Sequence, residues 1–353
     1  MPRSIVAVLV TSPDTIIRDY RRLMELTPFR DVLARSRGIA VHPTLAWHPF
    51  FPSCSTPPWQ LDGVLGALIG SGFSGEEVCA WYDSASGVSI HTGRVLNRHD
   101  SVLARYGIRV FTDDAGDRRV LHRPRTPLRV LHRVFPDGIP FPERLIGRFL
   151  IHLPTLKTRR DTIVSGAAVS ALECWLGKES RRLGDSIHEA LVDILAVQKE
   201  LSPGVLSVMD GVFAGEGPEP RNLAPHEKNV ILASSDSVAL DSVALTLMGF
   251  DPMGAGYIRM AHEAGIGSGA PEDIELAGDD ISGMRFGFSI VEPAVARRVR
   301  TLERAVFGTV LEPAARLVST VYHDWYRYLA FGEERIKRAM SGEWGKVFEG
   351  YRR

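Results

Sequence analysis

Residues 207–249 read SVMDGVFAGEGPEPRNLAPHEKNVILASSDSVALDSVALTLMG, and the fold class follows from how this stretch is parsed. Val205–Met209 is a short apolar run that meets Asp210-Gly211, and the loop beyond it carries Gly215-Glu216-Gly217-Pro218. Val230–Ala233 is apolar enough for a buried strand. Ser234-Ser235-Asp236 then forms a natural N-cap for a helix that ends near Gly249. The order is strand, Gly/Pro loop, strand, capped helix. It places Asp210 at a strand exit, the position where ligands gather in open α/β sheets. On the helix, Val238, Asp241, Leu245 and Met248 share one face by their spacing, so Asp241 falls on an apolar stripe. An ionised carboxylate there costs several kcal/mol unless it is paired, hydrogen-bonded or bound to metal. Asp241 therefore either holds a nearby loop in place or serves a ligand.

The same alternation extends upstream. Ile5–Val10 reads as a first strand, too short for the core of a signal peptide, and a helix follows from Pro13-Asp14 to about Leu26. Gly38–Val41, Val78–Tyr82, Ile108–Phe111 and Gly147–Leu153 are further strands, with a helix over Pro57–Ile69. A Pro- and Arg-rich passage from His122 to Arg144 interrupts the rhythm. Strands alternating with helices favour parallel pairing through right-handed crossovers. The expected fold is thus α/β, a layered and mostly parallel sheet flanked by helices, filling residues 1–289. From about residue 290 to 353 the pattern changes to amphipathic helices, at Ala294–Phe307, Pro313–Ala330 and Glu333–Met340. Their aromatic residues, among them Trp325, Trp344 and Phe348, suit a helical appendage that acts as core, homodimer seam or lid.

Three groups of residues could carry chemistry. Lys157, Arg159 and Arg160 follow the strand ending at Leu153, and Asp161 can cap a helix running to Gly177, which makes a candidate anion site. Asp210 and Glu216 are the candidate proton-transfer groups, and with Asp241 they are also the candidate ligands of a divalent cation such as Mg2+. The third group is the loop HPTLAWHPFFPSCSTPPW, residues 42–59, where His48 is the preferred acid/base, ahead of His42, and Trp47 a candidate substrate contact. Ser234 and Ser235 would complete the substrate site if all these strands left the sheet at one rim. The string Asp113-Asp114-Ala115-Gly116-Asp117 is better explained as a solvated turn than as a metal site. Gly265-Ile266-Gly267-Ser268-Gly269 follows a helix, so it is a C-cap and turn and not a dinucleotide fingerprint.

Several of these runs also match a known pattern. DGVFAGEGPEP, ASSDSVALDSVALTLMGFDP and HEAGIGSGAPEDIELAGDDI, in that order, resemble the bacterial and archaeal family called domain of unknown function 362, over about Ile39–Ile281. The family lends no general activity. Many members carry cysteine clusters for iron–sulfur centres, which this chain lacks. Leu153-Pro154-Thr155-Leu156-Lys157-Thr158-Arg159 is similar to the family's Leu-Pro-x-x-Lys-Thr-His, with Arg159 in place of the histidine. Ser170-Ala171 stands where the family often has Lys-Asn after a Thr-Gly-Ala turn, here Ser165-Gly166-Ala167.

Composition narrows the function class. The 353 residues are 44% apolar and 24% charged, the profile of a soluble globular protein. Forty-two basic and forty-two acidic side chains cancel, so no overall field recruits nucleic acid or an anionic membrane. No run approaches the roughly 20 apolar residues of a membrane helix. Cys54, Cys79 and Cys174 are far apart, which speaks against a disulfide scaffold or a zinc ribbon and fits a reducing cytoplasm. The expectation is an enzyme acting on a small anionic metabolite by acid–base isomerisation, cyclisation or a related rearrangement, in specialised metabolism and with or without a divalent cation. A non-catalytic binding or accessory protein on the same fold, and an enzyme of isoprenoids or other long apolar substrates, stay open beside it.

Overall fold

The computed structural model describes residues 3–27, 38–84, 88–113, 117–218, 220–291 and 332–352, with isolated positions between 294 and 321. In chain order, β1 (Ser4–Val10) leads to α1 (Ile16–Glu25), β2 (Ile39–Pro43), α2 (Pro58–Gly70) and β3 (Val78–Tyr82). Short helices α3 (Ile90–Leu96) and α4 (His99–Arg105) precede β4 (Arg109–Thr112). The Pro/Arg passage folds into β5 (Arg119–His122), α5 (Leu131–Val134) and β6 (Ile139–Pro142), and β5 and β6 form a separate antiparallel pair. Next come β7 (Phe149–Leu153), β8 (Thr155–Arg159), β9 (Ile163–Val164), α6 (Ala167–Leu176) and α7 (Ile187–Leu201). The long strands β10 (Val205–Glu216) and β11 (Ala224–Ser234) are followed by α8 (Ser237–Met248), α9 (Gly256–Glu263) and β12 (Ile274–Gly278). Last are α10 (Glu333–Ala339) and α11 (Glu343–Glu349).

The main sheet has ten strands in the order β12-β1-β11-β10-β7-β2-β3-β4, with β8 and β9 branching from β10. Along this path β11 alone runs against the rest, so the layered, mostly parallel α/β fold is present. Side chains on its two faces build two cores. One packs under α6 to α9 with Trp81, Leu150 and Met209, the other under α1 and α2 with Val41, Ile151 and Val208. Trp344 and Phe348 of α11 belong to the second core, and Trp344 Nε1 donates to Asn229 Oδ1 at 2.9 Å. The end of the chain is therefore sewn onto the α/β body. The helices expected over Ala294–Phe307 and Pro313–Ala330, and Trp325 with them, lie outside the described residues.

Three local expectations are corrected by this topology. Asp210 does not end its strand, because β10 continues to Glu216 through a register shift between Gly211 and Phe213, and Asp210 pairs with both Ile231 and Thr155. Lys157 and Arg159 lie on β8 itself, not on a cationic loop, and the next helix starts at Ala167, not at Asp161. The antiparallel course of β11 has the largest effect. Ser207 pairs with Ser234, so Ser234, Ser235 and Asp236 lie at the end of the sheet where β10 begins, opposite to the end where β7 and β8 deliver Lys157. Strand apolarity does not encode direction, and the loop from Gly217 to Leu223 is short enough for a tight reversal, which is why sequence pattern missed it.

Candidate functional site

Strands β2, β3, β7 and β8 point their C-terminal ends at one rim of the sheet. His42 and His152 are the penultimate residues of β2 and β7 and are direct partners in register. Asp83 follows β3 and holds His42 Nε2 through Oδ2 at 2.9 Å. From above, α6 contributes Ser170, Glu173 and Cys174, whose three-and-four spacing puts them on one helical face. Ser170 Oγ lies 3.2 Å from His42 Nδ1. From beside, β8 contributes Lys157 and Arg159, and Arg159 meets Glu173 at 3.5 Å.

Lys157 is the unusual member. Its side chain is 1% exposed, and its ammonium makes one hydrogen bond among the described residues, to Thr155 Oγ1 at 2.6 Å. Burial pushes its pKa down to about 8, against smaller upward pulls from Cys54 and Glu173. Thr155 in turn donates to the Ser53 carbonyl at 2.6 Å. Ser53 sits in the left-handed region with φ 70, and its buried hydroxyl has no hydrogen-bond partner among the described residues. A side chain on Gly215 would run into Ser53 Oγ at 2.6 Å and Lys157 Cβ at 3.1 Å, so glycine there lets the two approach over β10. Glu173 and Arg159 keep 24% and 27% of their side chains exposed, and they form the open side of the cluster. Burial and the neighbouring Asp83 raise the Glu173 carboxyl, and the cations Arg159 and Lys157 oppose them. Burial lowers His152 to about 3 and raises the Cys174 thiol well above its ordinary value.

The other residues singled out in the sequence make their polar contacts outside this cluster. Asp210 is buried on the α1 and α2 side, where Oδ2 accepts from Tyr20 Oη at 2.7 Å and Trp59 Nε1 at 2.8 Å, and Oδ1 accepts from Val212 N at 3.2 Å. Glu216 is taken by His226 Nε2 at 3.0 Å and by the Ser289 amide and hydroxyl at 2.8 and 2.9 Å. Asp241 accepts from the Ala167 and Ala168 amides at 2.6 and 3.0 Å and from Tyr257 Oη at 2.8 Å. It thereby caps α6, which has no capping side chain of its own. The three acids expected to share a cation thus stand in three places with three separate sets of donors.

His48 accepts from the Ser89 amide at 2.7 Å and braces the start of α3. Trp47 is 2% exposed and packs with Phe51, Cys54 and Leu223 as a plug under the loop. Arg160 pairs with Asp161 at 3.0 Å. Ser234 Oγ donates to the Ile5 carbonyl at 2.7 Å, while Ser235 is exposed on the far rim. Of the expected site residues, Lys157 and Arg159 meet here together with His42, the second acid/base candidate, and they are joined by Asp83, His152, Ser170, Glu173 and Cys174. A signal for the histidines was present: IAVHP and FLIHL are apolar strands with the same penultimate histidine, the position that faces a crevice in a parallel sheet.

A family profile described as Domain of unknown function (DUF362) matches residues 39–246, which takes in every residue of this rim. The chain belongs to the DUF362 family. A thylakoid-associated protein of Synechocystis sp. is similar as well, 28% identical over 121 residues. That match covers 31% of this chain and 35% of the Synechocystis protein. Among the described residues no helix is long and apolar enough to cross a membrane. Within the DUF362 match, the lysine of the Leu-Pro-x-x-Lys-Thr pattern is the buried Lys157. Ser170 supplies the hydroxyl beside His42.

Proposed function

We propose that this DUF362 chain is an enzyme that binds a small anionic metabolite at the rim formed by β2, β3, β7 and β8 and moves a proton on it. The observation that carries the reading is Lys157. A buried ammonium with one protein acceptor favours an anion that supplies the missing ones. Arg159 extends the positive charge to the exposed side of the cluster. Lys157, with its pKa near 8, can hold the anion and shuttle a proton, and a group poised near the operating pH is an effective general acid or base. Its orphaned neighbour Ser53 adds a hydroxyl that can donate to the bound oxygen. Acid–base isomerisation, cyclisation or a related rearrangement is the reaction class these groups suit.

The test is solvent exchange. The protein is incubated in deuterated buffer with a panel of small carboxylates and phosphate esters, and carbon-bound hydrogen is followed by NMR. Deuterium incorporation by the native chain that is lost in Lys157→Met supports the reading. No incorporation into any compound that binds at Lys157 makes the chain a binding or accessory protein instead. Arg159 and Ser170, standing where the family often has His and Lys, favour that second reading.

A further inference from the structure

Behind the anion site, His42, His152 and Cys174 present one donor atom each, all within 4.8 Å of one another and all buried. The two imidazoles meet edge to face, with ring centroids 5.5 Å apart and Nδ1 facing Nδ1 at 3.4 Å. The partners of the opposite ring edges decide what those Nδ1 atoms carry. His42 Nε2 lies 2.9 Å from the Asp83 carboxylate, which favours the tautomer with the proton on Nε2 and the lone pair on Nδ1. His152 Nε2 and Gln198 Oε1 are both buried and have no hydrogen-bond partner among the described residues, while the Gln198 side chain is beside the ring. Donor and acceptor match if His152 carries its proton on Nε2, and then its Nδ1 lone pair also faces inward. With both protons on Nε2, the two Nδ1 lone pairs face one shared space, where a cation set beside the line between them can accept both.

We propose that His42 Nδ1, His152 Nδ1 and Cys174 Sγ bind a borderline-soft first-row dication of the zinc class. With metal–nitrogen bonds of about 2.0–2.1 Å, two ligands of a tetrahedron stand roughly 3.3–3.4 Å apart, as the two Nδ1 atoms do. Cys174 has to swing closer, and its thiol gives its proton to solvent as the metal enters. Ser170 Oγ, 3.2 Å from His42 Nδ1, occupies the fourth direction, directly or through a water. Asp83 is the carboxylate that commonly backs a ligating histidine, fixing its tautomer and orientation. Imidazole and thiolate donors select zinc, cobalt, nickel or copper over magnesium, so this centre differs in chemistry as well as place from an all-carboxylate site. Ser170, Glu173 and Cys174 share a face of α6, which sets the centre next to the Lys157 rim. The assignment does not depend on what that rim binds.

The experiment is titration of the chelator-treated full chain with Co2+, followed by competition with Zn2+. One cobalt per chain is expected, with thiolate-to-cobalt charge transfer and the intense visible bands of a tetrahedral ion, both abolished by Zn2+. Cys174→Ala, a mild change at a helical core position, should lose the charge-transfer band at unchanged circular dichroism. His152→Gln should lose the visible bands, and Asp83→Asn should weaken affinity by roughly 10- to 100-fold. If His152→Gln fails to fold, Cys174→Ala and Asp83→Asn still decide. Absence of saturable cobalt binding, or a spectrum that Cys174→Ala leaves unchanged, overturns the assignment and makes the two imidazoles a pair sharing a proton.

Discussion

Tyr20 on α1 donates its hydroxyl to Asp210 Oδ2 at 2.7 Å, tying the first helix to the middle of β10 through the core. Asp210 is raised to about 6 by burial, against the opposing hydrogen bonds from Tyr20, Trp59 and Val212, and burial raises Asp241 to about 6 as well. Both values exceed the ordinary Asp value of 3.8, so the folded protein holds these protons more tightly than the unfolded chain. Their contribution is full below about pH 4 and is lost as pH rises through about 6, by about 3 kcal/mol for each group. Urea unfolding of the native chain and Asp210→Asn across this window should show the variant losing less stability with rising pH. Parallel curves would contradict it.

Replacing the acceptor outright should be costly. Asp210→Ala leaves the Tyr20 hydroxyl and the Trp59 indole N–H buried without partners, a loss of about 2–4 kcal/mol. Thermal unfolding reads it directly. A drop no greater than that of a typical surface substitution would mean that water replaces the carboxylate.

Asp241 and Gly166 should behave as one unit. A methyl group on Gly166 would approach Asp241 Oδ1 to 2.0 Å, so Gly166→Ala has to push the acid off the α6 amides. Gly166→Ala and Asp241→Ala should each cost about 2–3 kcal/mol, and the double variant less than their sum, because the second change removes what the first collides with. Additive losses in a double-mutant cycle would refute the coupling.

The terminal clasp is a fourth case. Trp344 is buried against Trp59, with ring centroids 5.3 Å apart, and Tyr351 Oη donates to Asp62 Oδ2 at 2.9 Å. Trp344→Ala should destabilise the whole α/β body by about 3–5 kcal/mol, in one transition seen by every probe. A separate, early melting step confined to the C-terminal helices would show them to be an independent appendage.

Much of this architecture was legible in the sequence because apolar runs and caps are local. The helix Ser237–Met248 has the Asp236 cap and the Gly249 end that SSDSVALDSVALTLMG announces. Asp241 was legible as an acid that needed partners, but the α6 amides that serve it come from 74 and 73 residues upstream, beyond any local pattern. Strand direction was the main loss. Once β11 reverses, Asp236, Ser234 and Ser235 move to the far rim, while Asp83 and Glu173 reach the near one from segments with no motif. Lys157 and Arg159 could be read because β8 carries them in a recognisable run.

Whether Lys157 anchors an anion is decided by calorimetric titration with inorganic phosphate and oxalate at about pH 6.5 and about pH 9.5, since the lysine pKa of about 8 lies between them. The charged lysine exists below that value, so binding should be strong at the lower pH and weak at the higher. Lys157→Met should bind neither anion at either pH, whereas Lys157→Arg should keep binding at both. Equal affinity of the native chain and Lys157→Met, with no dependence on pH, would show that Lys157 anchors no anion.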